Sequence, residues 1–417
     1  MTAEIAILNS FGVALAADSA VTINTGNGER KIYNTANKVF MLSKFHPVGI
    51  MIYSNAKIMG IDWELVIKLY REQLGKKEFT QLKDYADDFF NYIEANEVLF
   101  SKEQEKFYLS FVITTHLIAI RSKIIEKFKE VVPVESADVP KVVEEIISDH
   151  MKSWEEKKDL PNKKMTYDDF KLALKTYKID LEMFIKKELE KLPISLSAKG
   201  KIKETIYLSI KKNSFLKSYS GIVFAGYGKE NIFPAIEAYS IEGMFNRQLK
   251  YASDKSVKVD VNHNAAIIPF AQFEMVGSFM EGIDPYYQNF IEKQIHTAMQ
   301  KLESLIEKAD DKLKIPEIEK EFFETLKEYR KKGCINPIIS IVGSLPKDEL
   351  AAMAESLVNL TSFKRKVSAE SETVGGPIDV ALISKCDGFI WVKRKHYFKP
   401  ELNNHFFRNY YRGVENE

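Results

Sequence analysis

The two ends of this chain read in strand period, and the long middle does not. The stretch from about Gly75 to Ser220 is rich in Lys, Glu, Leu, Ile and Phe and carries very few glycines. Such composition favours helix. The pattern predicts helices at about 80–99, 102–131, 138–158, 166–191 and 198–213, with Pro133, Pro140, Pro161 and Pro193 at or near the breaks. The N-terminal stretch is β-branched and turn-punctuated, with strands predicted over Thr2–Asn9 and Phe11–Ala17 around a turn at Asn9-Ser10. A first helix is predicted over Ala56–Leu74. Gly221–Gly228 and Pro234–Gly243 read as a strand pair, and Lys255–Gln272 as a further strand region. Helices follow at Phe273–Ile283, Tyr286 to about Ala309, Pro316–Lys332 and Lys347–Leu360. Ile378–Ile383 and Phe389–Val392 form a closing hairpin around Asp387-Gly388. Strands at both ends with helices between them predict an α+β domain of two packed sheets.

Composition excludes several functions. The net charge is +1 over 417 residues, which argues against nucleic acid as a partner. Two cysteines, Cys334 and Cys386, are too few for a disulfide framework and suit a reducing cytosol. The N-terminus carries Glu4 and no basic leader region. Phe11–Ala17 is too short for a membrane span, and Phe107–Ile120 is interrupted by Thr114, Thr115 and His116. The reading is therefore cytoplasmic, without membrane association. The seven histidines have no zinc spacing, and no phosphate-binding loop is present, so neither metal nor cofactor is expected. The aromatic tail from His396 reads as a stripe packed on the domain, not a stacking platform.

The chemistry-bearing pattern lies at the start. Removal of Met1 would make Thr2 the first residue, with a hydroxyl and a free α-amine on one residue. A threonine hydroxyl needs a base, and an N-terminal amine titrating near roughly 7.7–8.0 can be that base. Lys38 would supply a cation favouring the alkoxide, and Asp18 would hold and neutralise Lys38. A hairpin of the two first strands would return Asp18 close to Thr2.

Thr2, the Ala16-Ala17-Asp18-Ser19 run and the Asn37-Lys38-Val39-Phe40 step together resemble the catalytic β-subunits of the proteasome and their bacterial relatives. These are N-terminal-nucleophile threonine peptidases. Gly221–Gly243 is similar to the family's central strand pair. Thr373-Val374-Gly375-Gly376 and the hairpin after it are similar to its closing segment. The resemblance implies a four-layer αββα sandwich, with residues 1–79 and 214–417 as the domain and 80–213 as an inserted all-helical module. It also implies Thr2 as nucleophile, Lys38 and Asp18 as its charged partners, and Ser19 and Thr22 beside the substrate.

Three positions depart from the family pattern. Tyr53 and Ser54 stand where the oxyanion glycine is expected, so a backbone N–H of either would serve. Phe270-Ala271-Gln272 replaces the Gly-Ser-Gly whose serine supports the amine. Glu370, Ser371 and Glu372 occupy the place of the aspartate before the last Gly-Gly, as supporting groups. The resemblance thus implies a threonine-type peptidase or amide hydrolase acting on peptide or protein. The alternatives are an inactive scaffold or sensor of the same fold, and a small-molecule amidase. A homo-oligomer, or a partner protein docked on the helical module, is the expected assembly.

Overall fold

The computed structural model describes residues 3–24, 30–130, 139–161, 165–190, 192–306, 315–368 and 374–411. In chain order, the strands before the first helix are β1 (Glu4–Asn9), β2 (Gly12–Ala17), β3 (Val21–Asn24), β4 (Arg30–Tyr33), β5 (Val39–Met41), β6 (Val48–Ser54), β7 (Lys57–Ile58) and β8 (Ile61–Asp62). Helices α1 (Trp63–Leu74), α2 (Leu82–Ala95), α3 (Lys102–Glu130), α4 (Val139–Glu155), α5 (Tyr167–Thr176), α6 (Leu181–Glu188) and α7 (Leu196–Lys211) follow. Next come β9 (Ser220–Gly226), β10 (Ala235–Phe245), β11 (Gln248–Lys258) and β12 (Ala265–Phe270). The remainder holds α8 (Glu274–Glu281), α9 (Pro285–Ile306), α10 (Ile315–Arg330), α11 (Asn336–Val342), α12 (Lys347–Val367), β13 (Asp379–Ser384), β14 (Gly388–Lys393) and α13 (Asn404–Tyr411).

The fold is α+β, built on two five-stranded antiparallel sheets, ordered β12-β1-β2-β13-β14 and β11-β10-β9-β6-β5. Strand alternation explains how they face each other. On the first sheet Ala6, Leu8, Val13 and Leu15 point towards Met51, Val223, Ala225 and Ile236 of the second. Their neighbours Ile5, Ile7, Ala14 and Ala16 point the other way, onto Leu350, Ala354 and Val358 of α12. Both faces of β1 and β2 are buried, which is why these strands read as apolar runs. The far face of the second sheet meets Trp63, Tyr70, Phe89 and Phe90 of α1 and α2. The same apolar cluster continues without a break into Val143, Ile147 and Trp154 of α4, so the helices of 80–213 share their core with that sheet.

Several expectations need adjustment. The first hairpin pairs Asn9 with Gly12, so its loop is Ser10-Phe11, and Phe11 is exposed rather than in a strand. Gly12 is required there, because a Cβ would lie 2.7 Å from the Ile383 carbonyl oxygen. The helix placed at 56–74 starts only at Trp63; the small β7–β8 hairpin precedes it, turning through Met59 and Gly60 at positive φ. The helix placed at 166–191 is two. Lys178 adopts φ 52°, and the Asp180 side chain accepts from Glu182 and Met183 backbone N–H to start α6. The strand region at 255–272 divides into β11, which begins seven residues earlier at Gln248, and β12. Among the described residues one helix, Lys102–Lys129, is long and apolar enough to cross a membrane; one of its faces, including Leu109, Ile113, Leu117 and Ile120, is buried in the protein.

Candidate active site

The first hairpin fixes the site. Its register sets Glu4 opposite Ala17, and one step further Ala3 and Asp18 exchange two hydrogen bonds. Asp18 N–H donates to the Ala3 carbonyl at 3.1 Å, and Ala3 N–H donates to Asp18 Oδ1 at 3.0 Å. The carboxylate accepts two further backbone bonds on Oδ2, from Ala20 at 3.2 Å and Gly375 at 2.9 Å. Gly375 thus ties the segment before β13 to the end of β2. Ser19 N–H returns a bond to the Gly375 carbonyl at 3.1 Å, and Ser19 Oγ donates to the Pro377 carbonyl.

Lys38 immediately precedes β5, and its carbonyl accepts from Ile52 N–H of β6 at 2.9 Å. Its side chain enters the space between the sheets, and its ammonium lies 2.5 Å from Asp18 Oδ1 and 3.2 Å from Glu4 Oε1. All three groups are buried: Lys38 is 4% exposed, Asp18 1% and Glu4 0%. An ammonium out of water is tolerable only with such partners. Asp18 and Lys38, chosen from sequence order, are therefore in direct contact. Glu4 was not anticipated. The signal for it was alternation: Glu4 shares the inward face of β1 with Ala6 and Leu8.

The other expected residues are distributed as follows. Thr2, Glu370, Ser371 and Glu372 lie outside the described residues. Thr22 lies on β3 opposite Ile32. Ser54 ends β6, exposed and in the left-handed region at φ 65°. The Tyr53 ring is buried over Gly221, where a Cβ would come within 1.9 Å of it, and against Phe270 at 5.3 Å. Its hydroxyl donates to Asp254 Oδ2 at 3.3 Å, as does Ser240 Oγ at 2.5 Å. Burial, then the Asp254 charge, pushes the Tyr53 hydroxyl well above its ordinary range, and burial raises Asp254 as well. The Tyr53 side chain therefore lies between the sheets, across the face of its own sheet and against Phe270 of the first.

The segment after β12 is locked from the helical side. Ala271 takes φ 65° while Gln272 N–H bonds back to the Phe270 carbonyl at 2.8 Å. Arg365 of α12 donates to Gln272 Oε1 at 2.7 Å and pairs with Glu274. These residues are about ninety positions apart, and no periodicity joins them. A cavity of about 400 Å³ begins one residue from the cluster, with Asn37, Lys68, Arg71, Pro377 and Arg394 in its wall. Asn37 and Lys68 both donate to Glu64 there, at 3.1 and 2.5 Å. Among the described residues no three His, Cys, Asp or Glu side chains are grouped to hold a metal ion.

No family model, no curated protein and no solved structure matches this chain.

Proposed function

We propose that this chain is an N-terminal-nucleophile amide hydrolase of proteasome-like αββα architecture, acting on peptide or protein through Thr2 once Met1 is removed. One observation carries the reading. The buried Lys38–Asp18 pair is hydrogen-bonded to Ala3, the residue covalently attached to Thr2. The helices outside each of two facing sheets agree with the proposed layers.

On this reading the Thr2 hydroxyl attacks the scissile carbonyl and passes its proton to its own α-amine. The amine then gives that proton to the departing nitrogen, leaving an acyl-enzyme that water hydrolyses. Lys38 stabilises the developing alkoxide, and Asp18, saturated by four donors, keeps the lysine in place. Since Ile52 N–H points at Lys38, the period-two backbone aims the Ser54 N–H to the same edge, where it would serve the oxyanion. Substrate side chains would enter the cavity beside Asn37.

Intact-mass measurement with N-terminal sequencing comes first, followed by labelling with an electrophilic peptide lactone. The expected result is loss of Met1 and an adduct on Thr2 that Thr2→Ala abolishes. Retained Met1 in protein from the native host, or labelling unchanged in Thr2→Ala, refutes the mechanism.

A second reading, a non-catalytic scaffold of the same fold, is favoured by Glu4. That carboxylate takes part of the ammonium's field away from any nucleophile. A biological effect that survives Thr2→Ala would select this reading.

A further inference from the structure

The inner face of the second sheet carries a carboxylate that the proposed mechanism does not use. Pairing between β10 and β11 slips by one residue. Ala238 faces Lys255 and Tyr239 faces Ser253, so Asp254 is an extra residue on β11. A bulge of this kind breaks strand alternation and re-aims a side chain. Here it turns Asp254 towards Ser240 and Tyr53, whose hydroxyls both donate to its Oδ2, at 2.5 and 3.3 Å. Ser240, Gly221 and Tyr53 stand side by side in one register row across β10, β9 and β6. Gly221 has no side chain, and the Tyr53 ring occupies the space over it. A tyrosine on β6 thereby reaches a carboxylate on β11, at the edge of the same sheet.

The charge on that carboxylate is unmatched. Desolvation raises the Asp254 carboxyl above the ordinary carboxylate range, and the bonds from Ser240 and Tyr53 offset this only in part. Among the described residues no cation pairs with it, the adjacent Lys255 included. The buried carboxylates of Asp18 and Glu242, by contrast, each have a lysine. Both donors to Asp254 use Oδ2, and among the described residues none bonds Oδ1. Asp254 is also open to solvent. A carboxylate held by hydroxyls, with one oxygen and its charge unmatched, is suited to receive a cation. One carboxylate and two hydroxyls fall short of the oxygen set that a metal ion requires. The position favours a substrate group. Tyr53 immediately precedes Ser54, whose N–H is the proposed oxyanion donor. Strands lie about 4.8 Å apart, so β10 is about 10 Å from β6. A long side chain is needed to span from a carbonyl at Ser54 to a carboxylate at Ser240, and the long cationic side chains are lysine and arginine.

We propose that Asp254 selects the substrate, receiving the cationic side chain of a lysine or arginine residue in the bound peptide. The inference rests on the peptide-hydrolase reading and adds a substrate class to it. Tyr53 and Ser240 hold the carboxylate in place, and the substrate cation supplies the charge-assisted bond that Oδ1 lacks.

Binding to the Thr2→Ala protein tests it without turnover. Fluorescein-labelled pentapeptides, scanned with lysine, arginine, norleucine and glutamate at each position, are titrated and followed by fluorescence anisotropy. One position should favour lysine or arginine over norleucine at least about tenfold, the worth of one hydrogen bond to a charged group. Asp254→Asn keeps an oxygen for both hydroxyls and should abolish that preference. Asp254→Lys should turn it into a preference for glutamate. No position favouring lysine or arginine, or a preference that either variant leaves in place, overturns the proposal. The catalytic reading is judged separately, by labelling of Thr2 in the parent protein. A chain that selects lysine peptides through Asp254 and resists labelling loses the mechanism and keeps the subsite.

Discussion

Replacing Lys38 by methionine keeps most of the side-chain volume and deletes the ammonium. Two buried carboxylates then share a site without their cation. Asp18 retains backbone donors from Ala3, Ala20 and Gly375 at 2.9–3.2 Å. Glu4 loses the ammonium that stood 3.2 Å away and shares in the penalty. Removing one partner of a buried ion pair costs about 3–5 kcal/mol, and Lys38→Met is expected in that range. Glu4→Gln alone leaves a one-to-one Lys38–Asp18 pair and should cost below about 1.5 kcal/mol. In the double variant no second carboxylate faces Asp18, and about 2 kcal/mol of the Lys38→Met loss should return, within the coupling range of contacting residues. Urea unfolding of the four proteins, followed by circular dichroism at one pH, gives the cycle. The reasoning fails if Lys38→Met costs less than about 1 kcal/mol, or if the double variant equals the sum of the singles.

Acid should loosen the helical module. His116 and His150 contact each other at 3.1 Å, and burial holds them at about 3 and about 4. An ordinary histidine titrates near 6.5, so between those values the unfolded chain binds the extra protons. Stability is full above about pH 6.5 and declines as pH falls; His116 alone accounts for about 2 kcal/mol at pH 5. Replacing both histidines with leucine should flatten the urea midpoint between pH 5 and 7. Lys250→Met strands Glu242, which also accepts from Tyr108 Oη and Leu216 N–H. Its expected cost is about 3–5 kcal/mol, most of it recovered by adding Glu242→Gln, read from thermal melts. Gly221→Ala drives a methyl into the Tyr53 ring and should cost at least about 1–3 kcal/mol, whereas Tyr53→Phe should cost about 1 kcal/mol. A Gly221→Ala protein as stable as the parent would show that the ring moves freely.

What the chain discloses about its site depends on the range over which each contact is set. The Asp18–Ala3 contact follows from one short turn. Once Asn9 faces Gly12, every later pair is fixed, and residue 18 must return to residue 3. Lys38 was legible through its neighbours, because the Asn37-Lys38-Val39-Phe40 step resembles the lysine step of the proteasome β-subunits. Glu4 was not. A glutamate near a chain start ordinarily reads as solvated, and its burial is imposed by the second sheet and by Lys38, thirty-four positions away. The break inside 166–191 was half legible. Asp180 is a capping residue, but Lys178 gives no hint of a left-handed backbone, since lysine rarely adopts one. The Gln272–Arg365–Glu274 contacts were invisible for the same reason as Glu4. Register is transmitted along hydrogen-bonded strands and can be counted from a turn. The pairing of buried charges is decided across elements that only tertiary packing brings together. The trio of Asp18, Lys38 and Glu4 combines both kinds. Two members belong to one hairpin whose loop fixes their separation, and the third enters from the facing sheet. Net charge in that cluster therefore depends on how the two sheets dock, and a substitution that shifts β5 against β2 should disturb it without touching any of the three residues.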